Sequence, residues 1–149
     1  MKMMKKILIL ILCLGILFSV AGCTVNMKTE SVILEGQRVT ITLRNTDGYT
    51  FDLDGADINF SKKNDEIATG TFYKESHFKH NIAAIEIAYD EVVSETSDGY
   101  NYTFYKCKSE TATPQHMVLI TYDKNTHLII KTDENIDTMK NILSGFSIK

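Results

Sequence analysis

Apolar residues recur at every second position through Arg38-Val39-Thr40-Ile41-Thr42-Leu43-Arg44, the spacing of a half-buried β-strand. Asn45-Thr46-Asp47-Gly48 then supplies turn residues, and Tyr49-Thr50-Phe51-Asp52-Leu53 runs back with Phe51 and Leu53 on one face. A second turn at Asp54-Gly55 leads into Ile58-Asn59-Phe60, so these segments read as an antiparallel meander. Ile67–Tyr73 is a further strand, in which Gly70 marks a bulge or a close approach. Upstream, residues 24–36 are polar apart from Val25, Met27 and the Val32-Ile33-Leu34 cluster, which can be a first strand or an edge.

Between Glu75 and Val93 the period changes. Phe78, Ile82, Ile85 and Tyr89 fall at i, i+4, i+7 and i+11, one face of a helix over roughly residues 76–90. Ala83, Ala84 and Ala88 favour that helix and Ser76 is its expected N-cap. Ile85-Glu86-Ile87-Ala88-Tyr89 also alternates, which is the rival strand reading. Strand signals then return. The Ser97-Asp98-Gly99 turn precedes the aromatic-rich Tyr100–Cys107 segment, and Pro114 marks a loop. Met117–Tyr122 is nearly all apolar and should be central, followed by a tight turn and His127–Thr132. Ile136, Met139, Ile142 and Leu143 outline a last amphipathic helix, with Asp133 or Asn135 as its cap and Gly145 as its stop. Phe146 and Ile148 close the core. Strands, helix, strands, helix predicts an α+β domain: one antiparallel sheet covered mainly on one face by two helices. Its element order and closing Ile136–Ile148 unit resemble the PsbP-like fold of extrinsic photosystem subunits and small bacterial lipoproteins, a resemblance that carries over no functional residue.

The leading segment has another pattern. Lys2, Lys5 and Lys6 precede an apolar run from Ile7 to Phe18, and Ser19-Val20-Ala21-Gly22 follows with small residues. That is the order of a secretory signal peptide, and the run falls short of the roughly 20 apolar residues of a membrane-spanning helix. Val20-Ala21-Gly22-Cys23 resembles a bacterial lipobox: an aliphatic residue, two small ones and an acceptor cysteine. The resemblance implies a lipoprotein whose Cys23 thiol receives a diacylglyceryl group and becomes the new N-terminus. Each buried methylene contributes about 0.8 kcal/mol, and two acyl chains hold firmly where one holds marginally. The expected organisation is a signal peptide over 1–22, a lipidated Cys23 with a tether to residue 36, and an α+β domain over 37–149. An ordinary cleaved signal peptide and an uncleaved anchor are the rival readings.

Composition narrows the function classes. Residues 23–149 number 127, the size of one domain. Losing Lys2, Lys5 and Lys6 with the leader moves the formal charge from −3 to −6, which argues against nucleic acid and against electrostatic adhesion to anionic lipid, so that the anchor is expected to be covalent. Once Cys13 leaves with the leader and Cys23 carries lipid, Cys107 has no thiol to pair with. A strand cysteine of this kind is expected to be a small buried residue.

Candidate chemistry is sparse. His77 and His80 sit at i and i+3 on one side of the first helix, with Glu75 close by, but a zinc or copper site needs a third ligand that spacing does not supply. They read as exposed helix histidines, and no metal or other cofactor is expected; His116 and His127 can join them only through the fold. Asp52-Leu53-Asp54-Gly55-Ala56-Asp57 departs from a calcium loop, with its glycine two places early and Lys63 where the bidentate Glu belongs. The Asn101-Tyr102-Thr103 sequon is uninformative in a bacterial envelope. No nucleophile elbow, phosphate loop, dinucleotide fingerprint or His-Glu-x-x-His occurs, so no catalytic residue is assigned. Tyr100, Tyr102, Phe104, Tyr105 and Tyr122 form either sheet core or a recognition surface. The expectation is a non-enzymatic lipoprotein of the bacterial cell envelope, held on the extracytoplasmic face of the membrane by Cys23 and binding a protein partner, for example an envelope protein, or a small ligand. A small-molecule or metal-binding module and a hydrolase with a dispersed site are the alternatives.

Overall fold

The computed structural model describes residues 26–45, 47–97 and 99–149. The strands are β1 (Asn26–Leu34), β2 (Gln37–Asn45), β3 (Tyr49–Asp54), β4 (Asp57–Lys62), β5 (Asp65–Lys74), β6 (Tyr89–Ser97), β7 (Tyr100–Cys107), β8 (His116–Thr121), β9 (Thr126–Thr132) and β10 (Phe146–Ile148). Helix α1 (Glu75–Ala88) follows β5 and helix α2 (Ile136–Leu143) follows β9. The described residues are therefore mostly antiparallel β-sheet with two helices. Among them are two sheets rather than one: three strands in the order β1-β2-β10, and seven in the order β3-β4-β5-β9-β8-β7-β6.

The meander expected from Arg38 to Phe60 breaks at its first turn. β2 pairs with β1 and β10, whereas β3 pairs with β4, so the chain changes sheets between Asn45 and Tyr49. The alternating pattern fixes which side chains share a face, and it is silent on which strand accepts the hydrogen bonds. Residues 26–34, expected as tether with at most a first strand or edge at Val32–Leu34, are a full strand of the domain. β1 pairs with β2 along its whole length, from Asn26 opposite Asn45 to Leu34 opposite Gln37. The Glu35-Gly36 turn joining them has both residues at positive φ (49° and 82°), the primed hairpin geometry that matches strand twist.

Each face of the large sheet has its own cover. Phe51, Ile58, Phe60, Phe104, Ile120 and Leu128 point to the first face and are fully or almost fully buried. They join Val39, Ile41 and Leu43 of the small sheet and Met139 and Ile142 of α2 in one cluster. Phe60 meets Phe146 edge-on across that gap, ring centroids 5.8 Å apart. The second face, Tyr105, Met117, Leu119 and Ile129, is covered by Ile85, Phe78 and Ile82 of α1. The helices thus lie on opposite faces, which corrects the expectation of one shared face. Coverage on both sides is also why β8 reads as continuously apolar, since neither set of alternate side chains meets water.

Local signals behave individually. α1 starts one residue earlier than expected and its N-cap is Lys74, which makes no side-chain capping bond; Ser76 lies inside the helix. Asn135 caps α2, its Oδ1 accepting the Thr138 N–H at 2.8 Å. Gly70 is a close approach, because a Cβ there would stand 2.8 Å from Ile58 Cγ2. The bulge falls instead at Ile67 of β5, which is left unpaired where Phe60 faces Ala68 and Ser61 faces Glu66. Gly145 works by proximity as well: a Cβ would meet the Arg44 carbonyl oxygen at 2.9 Å, and Arg44 N–H donates to Gly145 O at 2.8 Å. Lys28 joins the two sheets, its ammonium donating to Phe51 O and to the Asp52 carboxylate on β3 and pairing with Glu30 at 2.9 Å. Among the described residues, no helix is long and apolar enough to cross a membrane.

Candidate functional site

The start of α1, the end of β5, the β1–β2 turn and the β3–β4 turn converge around a groove of about 780 Å³. Its apolar wall is Ile33, Leu34 and Phe72; its polar rim includes Lys74, His77 and His80. The two histidines are exposed and lie where the helical spacing puts them, on the side of α1 that borders this groove. No third His, Cys, Asp or Glu joins them in a cation-binding group among the described residues. A volume between about 300 and 1,000 Å³ with an apolar wall and a few polar groups is the form of a small-molecule site.

Sequence spacing missed a second polar constellation. His127 on β9 is 5 % exposed, and its Nε2 donates to the Glu75 carboxylate across 2.7 Å. An ionised carboxylate only accepts, so this ring nitrogen carries hydrogen. The Nδ1 atom lies 3.3 Å from the Thr121 hydroxyl on β8, and the Phe78 ring stacks on the imidazole with centroids 3.8 Å apart. Glu75 also pairs with Lys79 one helical turn on, at 3.3 Å. The hydrogen bond from His127, followed by that from Lys79, holds the Glu75 carboxyl below the ordinary glutamate value. The chemical types are those of a carboxylate–imidazole–hydroxyl relay, yet the ring is sealed beneath Phe78 and neither Glu75 nor His127 lines the groove. The trio pins the start of α1 to β8 and β9. Its members are 46 and 6 residues from Thr121 along the chain, a distance no local motif reveals.

The remaining candidates resolve into structure. Cys107 is buried and free in β7, opposite Tyr89, whose hydroxyl donates to Pro114 O at 2.9 Å. Burial, followed by the charges of Cys107 and Asp133, pushes the Tyr89 phenol above its ordinary value. His116 is half-buried at the start of β8, its Nδ1 shielded and without a hydrogen-bond partner. Asp52, Asp54 and Asp57 serve the β3–β4 hairpin: Asp52 takes Lys28, Asp57 accepts the Thr71 hydroxyl at 2.6 Å, and Asp54 pairs with Asp57 in the ladder. Tyr102, Phe104 and Tyr105 are buried, and Tyr100 leans on Tyr102 and Tyr122 at the end of the large sheet. That aromatic group is sheet core. Cys23 and residues 1–22, expected to be a signal peptide, lie outside the described residues. No family model matches the chain, and no curated protein or solved structure matches it.

Proposed function

We propose that the chain is the precursor of an envelope lipoprotein, cleaved before Cys23 and held on the extracytoplasmic face of the cell membrane by lipid on that cysteine. The observation that carries this reading is the ordered leader: three lysines, an apolar run, and Val20-Ala21-Gly22-Cys23. The domain behind it acts as a non-enzymatic binding module for an envelope protein. Supporting that role, the Glu75–His127 pair has its imidazole covered by Phe78, and neither residue lines the groove. Replacing Cys23 by Ser tests the anchor. Metabolic lipid labelling and membrane retention should both be lost; survival of both overturns the proposal.

The groove beside α1 favours a second reading, a small-molecule site for an amphipathic ligand. Its apolar wall at Leu34 and Phe72 suits a hydrocarbon body, and Lys74 with His77 and His80 suits an anionic head. A short-chain carboxylic amphiphile should raise the melting temperature of the parent protein and not of the His77→Ala/His80→Ala variant. Equal shifts in both would remove the groove from consideration.

A further inference from the structure

The small sheet turns one face to the core and the other to solvent, and the outward face has a composition unlike the rest of the molecule. Register places Met27 opposite Arg44, Thr29 opposite Thr42, Ser31 opposite Thr40 and Ile33 opposite Arg38. These are the positions between the buried Val32, Val39, Ile41 and Leu43, so they point away from the core. None of them is acidic, in a domain whose formal charge is −6. Arg38 and Arg44 are exposed at the two ends of β2, roughly 20 Å apart at the usual strand rise. Lys149, exposed and following β10, adds a third cation. None of the three makes an ion pair among the described residues. Between Arg44 and Lys149 lies a hollow of about 330 Å³.

Two further features belong to the same face. Its middle is a hydroxyl ladder, Thr29 with Thr42 at 3.0 Å and Ser31 with Thr40 at 2.9 Å. Its edge strand exposes Met27 and Ile33, 61 % and 65 % accessible, two of the large apolar side chains most open to water. Cationic, hydroxylated and edged with apolar side chains, this surface matches the phosphate-rich headgroup layer of an anionic bilayer. Chain length brings it there. Asn26 opens β1 only three residues after Cys23, a link that spans at most about 11 Å.

We infer that the outward face of β1-β2-β10 lies flat on the membrane, Arg38, Arg44 and Lys149 engaging anionic phospholipid headgroups while Met27 and Ile33 enter the interface. The inference rests on the lipid anchor at Cys23 and adds an orientation to it. The overall negative charge does not oppose it, because screening limits repulsion to about 8–10 Å at physiological salt and the face presented is the basic one. α1 covers the opposite face of the large sheet, and the groove that His77 and His80 share with Ile33 opens at the margin of the docked face.

The test uses the mature protein purified from cell membranes and reconstituted in phosphatidylglycerol–phosphatidylcholine vesicles carrying a headgroup nitroxide. Intact mass first reports whether Cys23 carries lipid. A fluorophore is then placed by Ser31→Cys on the outward face, or by Ala83→Cys on the exposed side of α1, with the parent protein giving the background from buried Cys107. Quenching at position 31 should exceed that at position 83 by at least about threefold. It should fall towards the position-83 level in Arg38→Glu/Arg44→Glu and be retained in Arg38→Lys/Arg44→Lys. A lipidated protein with equal quenching at both positions overturns the docking and leaves the anchor standing. A label at position 31 shielded from water yet unquenched overturns it too, because something other than lipid then covers the face. A mature protein without lipid on Cys23 overturns both.

Discussion

Replacing Gly70 by Ala puts one methyl group where two opposing effects compete. In a strand interior, alanine gains about 0.4–1 kcal/mol by restricting the unfolded chain. Against that, the new Cβ would lie 2.8 Å from Ile58 Cγ2, 3.1 Å from Leu128 Cδ1 and 3.2 Å from Ile130 Cγ1. Carbon contacts settle near 3.5–4.0 Å, so all three neighbours must retreat by about 0.3–0.7 Å or more. Ile58 and Ile130 are β-branched, fully buried and fixed in the strands flanking β5, so rotation relieves little. Overpacking of this kind costs about 1–3 kcal/mol, leaving a net loss of about 1–2 kcal/mol. For a domain of this size that lowers the melting temperature by about 4–8 °C. Urea denaturation should show a lower midpoint with an unchanged slope. A second measurement isolates the cause: in an Ile58→Ala background, which removes the nearest methyl, the same substitution should cost less by at least about 0.5 kcal/mol. A midpoint that is unchanged or raised, or costs that simply add, would refute the clash.

Asn135→Ala should destabilise the protein by about 1 kcal/mol through loss of the bond to Thr138 N–H, and a midpoint within error of the parent would deny Asn135 its capping role. The Glu75 carboxyl titrates below its unfolded value because His127 and Lys79 bond to its ionised form. Its stabilising contribution is therefore complete above about pH 4.5 and disappears as pH falls through the lower folded value. Glu75→Gln should accordingly be least stable relative to the parent near neutrality, with the gap closing in acid; a gap independent of pH would place the bond elsewhere.

How much of this molecule its sequence determined follows from the range over which each signal acts. Alternation in Arg38–Arg44 and Tyr49–Leu53 specified strands, because side chains of period two follow from backbone geometry alone. The i, i+4, i+7 spacing of Phe78, Ile82 and Ile85 specified α1 and the face it buries, for the same reason at period 3.6. The amphipathic pattern from Ile136 to Leu143 did likewise for α2, and Asn135 supplied its cap within three residues. The proposed leader ending in Cys23 rests on the linear order of its residues alone and lies outside the described residues.

Tertiary structure decided the rest. That β2 leaves the large sheet, and that α1 and α2 take opposite faces, depends on which surfaces complement one another across the core, which no window of the chain contains. β1 was obscured because Lys28 and Glu30 take core-side positions while Met27 and Ile33 point outward, and β6 by charged residues along an exposed edge, where pairing with β7 replaces apolar burial as the stabilising interaction. His127 and Glu75 meet only because β9 lies beside β5, with their chain positions 52 residues apart. The basic outward face is of the same kind. Arg38 and Arg44 are ordinary alternate residues in the sequence, and they become one surface with Lys149 only once β10 returns to pair with β2.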